Sequence, residues 1–159
     1  MNKENREMMN KLHLKSMCEL YPNFPEKYHI PYDKKDTSTN GLTKCILDFI
    51  NLSGWQAERI SSTGRWIKDG EKQIDFYTGK ETSAGGRYIK GSGTKGTADI
   101  SATIKGKSVK IEVKYGKDRM SQEQKKYKDS IERAGGIYMI ARTFDDWHNE
   151  YKTLFEYDN

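Results

Sequence analysis

Residues 98–113 alternate between apolar and polar side chains with a period of two, broken once at Lys105-Gly106-Lys107. Ile100, Ala102, Ile104, Val109, Ile111 and Val113 fall on one face, and Asp99, Ser101, Thr103, Lys110 and Glu112 on the other. A helix would scatter both sets around its axis, so the pattern demands two strands with one buried face. The short break makes them an antiparallel hairpin whose apolar face must be covered by other parts of the chain. If Lys105 and Gly106 are the turn, Ile104 faces Lys107. Stepping outward then sets Asp99 across from Glu112 and Thr97 across from Lys114.

The candidate covering elements lie on both sides. Leu42, Ile46, Phe49 and Ile50 form a helical stripe that ends at Ser53-Gly54, with Gly54 as a C-cap. Residues 56–60 read as a short strand. A helix over 121–134 stops at Gly135-Gly136, a buried strand follows over 137–141, and a last helix carries Phe144, Trp147, Tyr151, Leu154 and Phe155. Upstream, Met8, Met9, Leu12, Ser16, Met17 and Leu20 mark an amphipathic helix over 3–20. All 3 prolines follow it, which makes 21–38 an extended connector. The boundary is placed there, with 1–38 an N-terminal helix and linker and 39–159 the main domain. Residues 65–77 read as a polar hairpin around Asp69-Gly70, and 79–96 is too glycine-rich to be regular throughout.

With 34% hydrophobic and 32% charged residues, the core must be confined to these few segments. No run is apolar enough to span a bilayer, and the first residues lack a signal-peptide core, so the expectation is a cytoplasmic protein with no membrane partner. Cys18 and Cys45 read as small buried or half-buried residues. His13, His29 and His148 have no zinc-ligand spacing. Residues 61–119 hold 13 Lys and Arg against 7 Asp and Glu, while the other 100 residues are nearly balanced. A basic field of that kind draws polyanions, or serves only solubility.

Directly opposed carboxylates repel unless something compensates, and a divalent cation does so. Two carboxylates offer oxygen ligands suited to Mg²⁺ or Mn²⁺ rather than Zn²⁺. With Lys114 two residues beyond Glu112, the group reads as a phosphodiester-hydrolysis site. From periodicity alone the better reading is an ordinary solvated strand face, on which Asp99 pairs with Lys110 and Glu112 with Lys114.

Gly96-Thr97-Ala98-Asp99, Ile111-Glu112-Val113-Lys114, Ser121-Gln122-Glu123-Gln124-Lys125-Lys126-Tyr127 and Ala134-Gly135-Gly136-Ile137-Tyr138, in this order, resemble the PD-(D/E)XK nuclease superfamily. The run is most similar to its virus-type replication-repair nuclease (VRR-NUC) branch, which includes stand-alone phage members, and the resemblance spans residues 40 to about 147. It implies an α/β restriction-endonuclease-like core, a mixed β-sheet flanked by helices in the order α-β-β-β-α-β. It implies a Mg²⁺- or Mn²⁺-dependent deoxyribonuclease acting on DNA, structure-specific in the manner of a Holliday-junction resolvase. A homodimer and a bacterial or phage-infected cell belong to the same expectation.

Residue by residue, the resemblance makes Asp99, Glu112 and the Val113 carbonyl metal ligands and Lys114 the catalytic lysine, with Gln124 beside them. Ala98 stands where the superfamily name has proline. Related nucleases often carry a glutamate on the first core helix, where this chain reads Thr39-Asn40-Gly41-Leu42-Thr43; Asn40 offers an oxygen without the charge. Ser121-x-x-Gln124 is also a capping box, so Gln124 has two readings.

Arg59, Arg65, Arg87, Lys90, Lys95, Lys117 and Arg119 are candidate phosphate contacts, with solvated surface the default for any one of them. Trp66 or Tyr88 is a candidate for stacking on an unpaired base, against ordinary hairpin packing. Gly91-Ser92-Gly93-Thr94-Lys95-Gly96 fits a dinucleotide-binding fingerprint, but a strand pattern follows it instead of the helix such a site requires. Two rival functions remain. One is a catalytically weak or inactive nucleic-acid-binding module of the same fold, and the other an interaction protein docking through its N-terminal helix.

Overall fold

Lys105 and Gly106 both have positive φ, 48° and 76°, the sense of a two-residue hairpin turn whose twist matches that of the strands it joins. The computed structural model describes residues 1–60, 64–67, 72–74, 76–79, 81–83, 86–89 and 94–156, and only the backbone of 65, 72–74 and 81–83. In chain order the elements are α1 (Lys3–Leu20), α2 (Thr39–Leu52), β1 (Gln56–Arg59), β2 (Arg65–Ile67), β3 (Lys72–Ile74), β4 (Glu81–Ser83) and β5 (Arg87–Ile89). They continue with β6 (Ile100–Ile104), β7 (Lys107–Val113), α3 (Gln122–Arg133), β8 (Ile137–Ala141) and α4 (Phe144–Phe155).

The β6–β7 ladder runs from Ile104↔Lys107 to Ile100↔Ile111, the register set by the turn. β1 adds antiparallel to the free side of β6, and β8 lies parallel to β7, giving a mixed sheet ordered β1-β6-β7-β8. Parallel neighbours need a crossover, and α3 provides it. Ile100, Ala102, Ile104, Val109, Ile111 and Val113, with Met139 and Ala141, form one buried face covered by α2 and α4. α3 lies over the opposite face at the β7–β8 end, where the Tyr127 and Tyr138 rings meet at 6.3 Å. The molecule is thus mixed α/β, a mixed sheet flanked by helices. Among the described residues, no helix is long and apolar enough to cross a membrane.

α2 ends as its sequence requires. Gly54 sits at φ 84°, and the Gly54 and Trp55 N–H groups return to the Asn51 and Ile50 carbonyls. α1 packs on α2 and contributes Met9 to the same buried cluster, and the connector contributes Tyr32. The start of α1 is tied to α4 through Asp145, which accepts hydrogen bonds from the Asn2 N–H and the Asn5 side chain.

Three expectations are corrected. The hairpin expected over 65–77 is not seen in its described strands: β2 pairs with β5 and β3 with β4, two ribbons nested in chain order that make a β-arm between β1 and β6. Asp69 and Gly70 themselves lie outside the described residues. The arm's inner turn falls instead around Phe76 to Gly79, where Gly79 takes φ 62°. Thr97 is not paired with Lys114. Gly96, at φ 78°, turns the chain before β6, and Lys114 donates its N–H to the Ala141 carbonyl of the parallel neighbour. The helix expected over 121–134 closes one residue earlier, at Arg133, leaving Ala134 as its exposed C-cap before the chain leaves through left-handed Gly135.

α4 buries a histidine with its apolar stripe. His148 stacks between Phe144 at 5.8 Å and Tyr151 at 6.2 Å, and its Nδ1 has no hydrogen-bond partner among the described residues. Burial, and then the Lys152 charge, hold its pKa below 6.5 against the opposing pull of Glu156, Asp145 and Glu4. The unfolded chain therefore binds a proton here more readily, so stability is lost as pH falls from about 7 through 6.5 and below. Thermal unfolding of His148→Phe between pH 7.5 and 5 is expected to show a shallower acid-side loss than wild type. Parallel pH profiles would sink the idea.

Candidate active site at the β7–α3 junction

The polar face of β7 is solvated at its start and buried at its end. Glu112 and Lys114 lie under the β7–α3–β8 crossover with side chains only 3% and 6% exposed, and their Oε1 and Nζ atoms are 3.0 Å apart. The ion pair anticipated for a solvated strand face is thus present, but in a buried place. The Asp99–Lys110 half of that reading is replaced, since Lys110 Nζ donates to Ser101 Oγ.

Asp99 immediately precedes β6, beside the end of its neighbour β1, with its carbonyl accepting from the Ile60 N–H. Its Oδ2 accepts the Val113 N–H at 2.9 Å, which ties it to the residue between Glu112 and Lys114. Lys114 Nζ also lies 3.3 Å from Asp118 Oδ2, on the loop leading to α3. The Tyr138 hydroxyl donates toward Glu112 Oε2 at 3.5 Å.

Gln124 satisfies both of its readings, with opposite ends of one amide. Its Oε1 accepts the Ser121 N–H at 2.9 Å, completing the capping box, and its Nε2 donates to Glu112 Oε1. Ser121→Ala removes only the cap and is expected to destabilise the protein by about 1 kcal/mol. Gln124→Ala, which also strips a partner from a buried carboxylate, is expected to lose more in denaturant titration. Equal losses would show that the Glu112 contact contributes nothing.

Electrostatics follow from burial. Desolvation pushes the Glu112 carboxyl above its usual range and the nearby Asp99 charge adds to this, while Lys114 opposes it. For Lys114, burial pulls downward, but the hydrogen bond and charge of Glu112, then Asp118, win and hold it charged. The Tyr138 phenol is raised by burial and by the Glu112 and Asp99 charges, so it stays a donor. Among the described residues no group of three or more His, Cys, Asp and Glu side chains converges as a metal cage. Two carboxylates suffice for a hard cation that keeps several waters. The donors here are all oxygen, and Glu112 Oε2 makes only the long Tyr138 contact among the described residues. A cation between Asp99 and Glu112 would offset the Asp99 charge that adds to burial in raising Glu112, and two carboxylate oxygens are the kind of donor Mg²⁺ or Mn²⁺ takes.

The remaining candidates are dispersed. Asn40, on the first turn of α2, has its Oδ1 engaged by the Arg59 guanidinium at 3.0 Å. Lys117 and Arg119 are exposed on either side of Asp118. Lys95 lines a cleft with Glu123, Lys126 and Tyr127 of α3. Arg87 is exposed on β5, opposite Ile67. Lys90 and the Arg65 side chain lie outside the described residues, as do Gly91, Ser92 and Gly93. Gly96 is described, and the close approach it permits is to α3: a Cβ there would run into the Glu123 carbonyl and sit 2.7 Å from the Gln124 nitrogen.

Sequence reasoning missed Tyr138 and Asp118. Tyr138 carries a legible signal, being a phenol on the same face as Glu112 once β8 is set parallel to β7. Asp118 carries none, because a loop brings it back to Lys114. No protein-family model, curated protein or solved structure matches the chain.

Proposed function

We propose that this chain is a metal-dependent nuclease of the restriction-endonuclease-like fold that hydrolyses DNA phosphodiester bonds. The observation that carries the reading is the buried Glu112–Lys114 pair with Asp99 beside it, within the most basic stretch of the chain. Buried charges are costly and weak evidence for stability, whereas a perturbed carboxyl with a second carboxylate and a lysine beside it is what phosphoryl chemistry requires. The order α2, β1, β6, β7, α3, β8, with the site at the hairpin–crossover junction, supports the fold expectation.

Asp99, Glu112 and the Val113 carbonyl would hold Mg²⁺ or Mn²⁺. Bound there, the cation supplies charge neutralisation at the scissile phosphate and a more acidic water. Lys114, held charged, stabilises the charge that develops on the phosphate. Gln124 and Tyr138 orient Glu112 by hydrogen bonds to its two oxygens, and Asp118 steadies Lys114. Arg59, Lys95, Lys117 and Arg119 are the proposed phosphate contacts. The test is incubation of the purified protein with supercoiled plasmid and with a synthetic four-way junction, in Mg²⁺, Mn²⁺ or EDTA. Cutting that requires the metal is expected, and faster cutting of the junction would assign a resolvase-like preference.

A second reading keeps the fold without turnover. It is favoured by Asn40, which stands where related nucleases carry a glutamate and is already engaged by Arg59. It expects salt-sensitive DNA binding and no cutting in any metal.

A further inference from the structure

The β-arm carries two aromatic rings that are held in place yet open to solvent. Trp66 on β2 and Tyr88 on β5 are directly opposed. Each leans onto the glycine immediately before the other strand. The Trp66 indole occupies the place where a Cβ at Gly86 would lie, and the Tyr88 phenol ring occupies the corresponding place at Gly64, with Cζ and Oη both 2.5 Å from it. An aromatic covering a cross-strand glycine is a known way to fix strand register, and it lays the ring along the ribbon. Both rings nevertheless remain 61% and 60% exposed.

A ring used for core packing is buried, and a free surface ring is not seated on a glycine. These two are seated and exposed, so the ribbon itself holds both rings. Placed in the stretch where 13 Lys and Arg face 7 Asp and Glu, such a surface suits a planar group attached to a polyanion. We infer that Trp66 and Tyr88 form a stacking platform for unpaired bases, so that the DNA this protein engages contains a single-stranded segment. Stacking is indifferent to base identity, so the platform selects DNA structure rather than sequence. The inference rests on the proposed DNA-binding function and narrows its substrate class.

The experiment compares the full chain with Trp66→Leu, Tyr88→Leu and the ring-preserving Trp66→Phe. Fluorescence anisotropy is measured in EDTA on a blunt duplex and on the same duplex with an unpaired overhang, over a range of salt. Wild type is expected to prefer the overhang. Each leucine variant should lose roughly ten-fold in affinity for it, keep its blunt-duplex affinity and keep its salt slope, because no phosphate contact is removed. Trp66→Phe should retain most of the preference, and unchanged far-UV circular dichroism establishes that the fold is intact. DNA binding by wild type without overhang preference, or preference unaffected by both leucine variants, overturns the platform and leaves the DNA-binding reading standing. No binding to either DNA overturns both.

Discussion

Glu112→Gln is expected to abolish Mn²⁺-dependent DNA cleavage, by at least about 100-fold, while leaving the protein folded. The substitution keeps shape and hydrogen-bonding capacity and removes one charge. If Glu112 holds the cation, its loss removes affinity as well as turnover. Mn²⁺ should then raise the thermal midpoint of wild type and not of the variant, because only a ligand that binds the folded state stabilises it. The cost to stability is bounded. Removing one partner of a buried ion pair costs about 3–5 kcal/mol when the other is stranded, but Lys114 keeps Asp118 at 3.3 Å. Burial and the Asp99 charge also work against the Glu112 carboxylate, and both disadvantages vanish with the charge. The net loss should therefore fall well below that range. A variant that cuts DNA as wild type does would remove Glu112 from the chemistry and with it the proposed site.

Gly96→Ala is expected to be the most damaging single-methyl change near the site. Two independent penalties meet there. The residue sits at φ 78°, which costs an L-residue roughly 1–2 kcal/mol. The added methyl would meet the backbone of Glu123 and Gln124, which cannot swing aside as a flexible side chain can, for roughly 1–3 kcal/mol more. Together these lower the midpoint by about 5 to 20 °C for a chain of this length. Relief requires the N-terminus of α3 to move, and Gln124 moves with it. Gly106→Ala is the control, since it has the same left-handed φ, 76°, with nothing within 4 Å of its Cβ. It should show the backbone penalty alone. Equal losses in the two variants, measured by thermal and urea unfolding, would mean that the approach of the loop to α3 contributes nothing.

The elements legible in the sequence were those whose local pattern has one solution. The alternation over 98–113 pointed to a hairpin, and with Lys105-Gly106 as its turn the register from Ile104↔Lys107 to Ile100↔Ile111 followed. The apolar stripes of α2 and α4 and the Ser121 and Gly135 signals around α3 were equally local. The β-arm was not legible. Asp69-Gly70 is a strong hairpin dipeptide, yet β2 pairs with a strand 20 or more residues away, and nothing local encodes that choice. What the rings of Trp66 and Tyr88 lie against depended on the same pairing.

At the candidate site the division is sharper. Sequence by itself determined which groups are available, the Asp99, Glu112 and Lys114 side chains on neighbouring chain segments, and that Gln124 begins the next helix. It left open whether they stand in water or in the protein. The parallel docking of β8 and the lid of α3 decided that, by withdrawing Glu112 and Lys114 from solvent and bringing Tyr138 and Asp118 to them. The physical reason is that covalent order sets the spacing and face of side chains along one strand. Dielectric surroundings, by contrast, are made by whatever distant segment packs on top. A carboxylate and a lysine two residues apart are a solvated surface ion pair in water and a desolvated, buried one under α3.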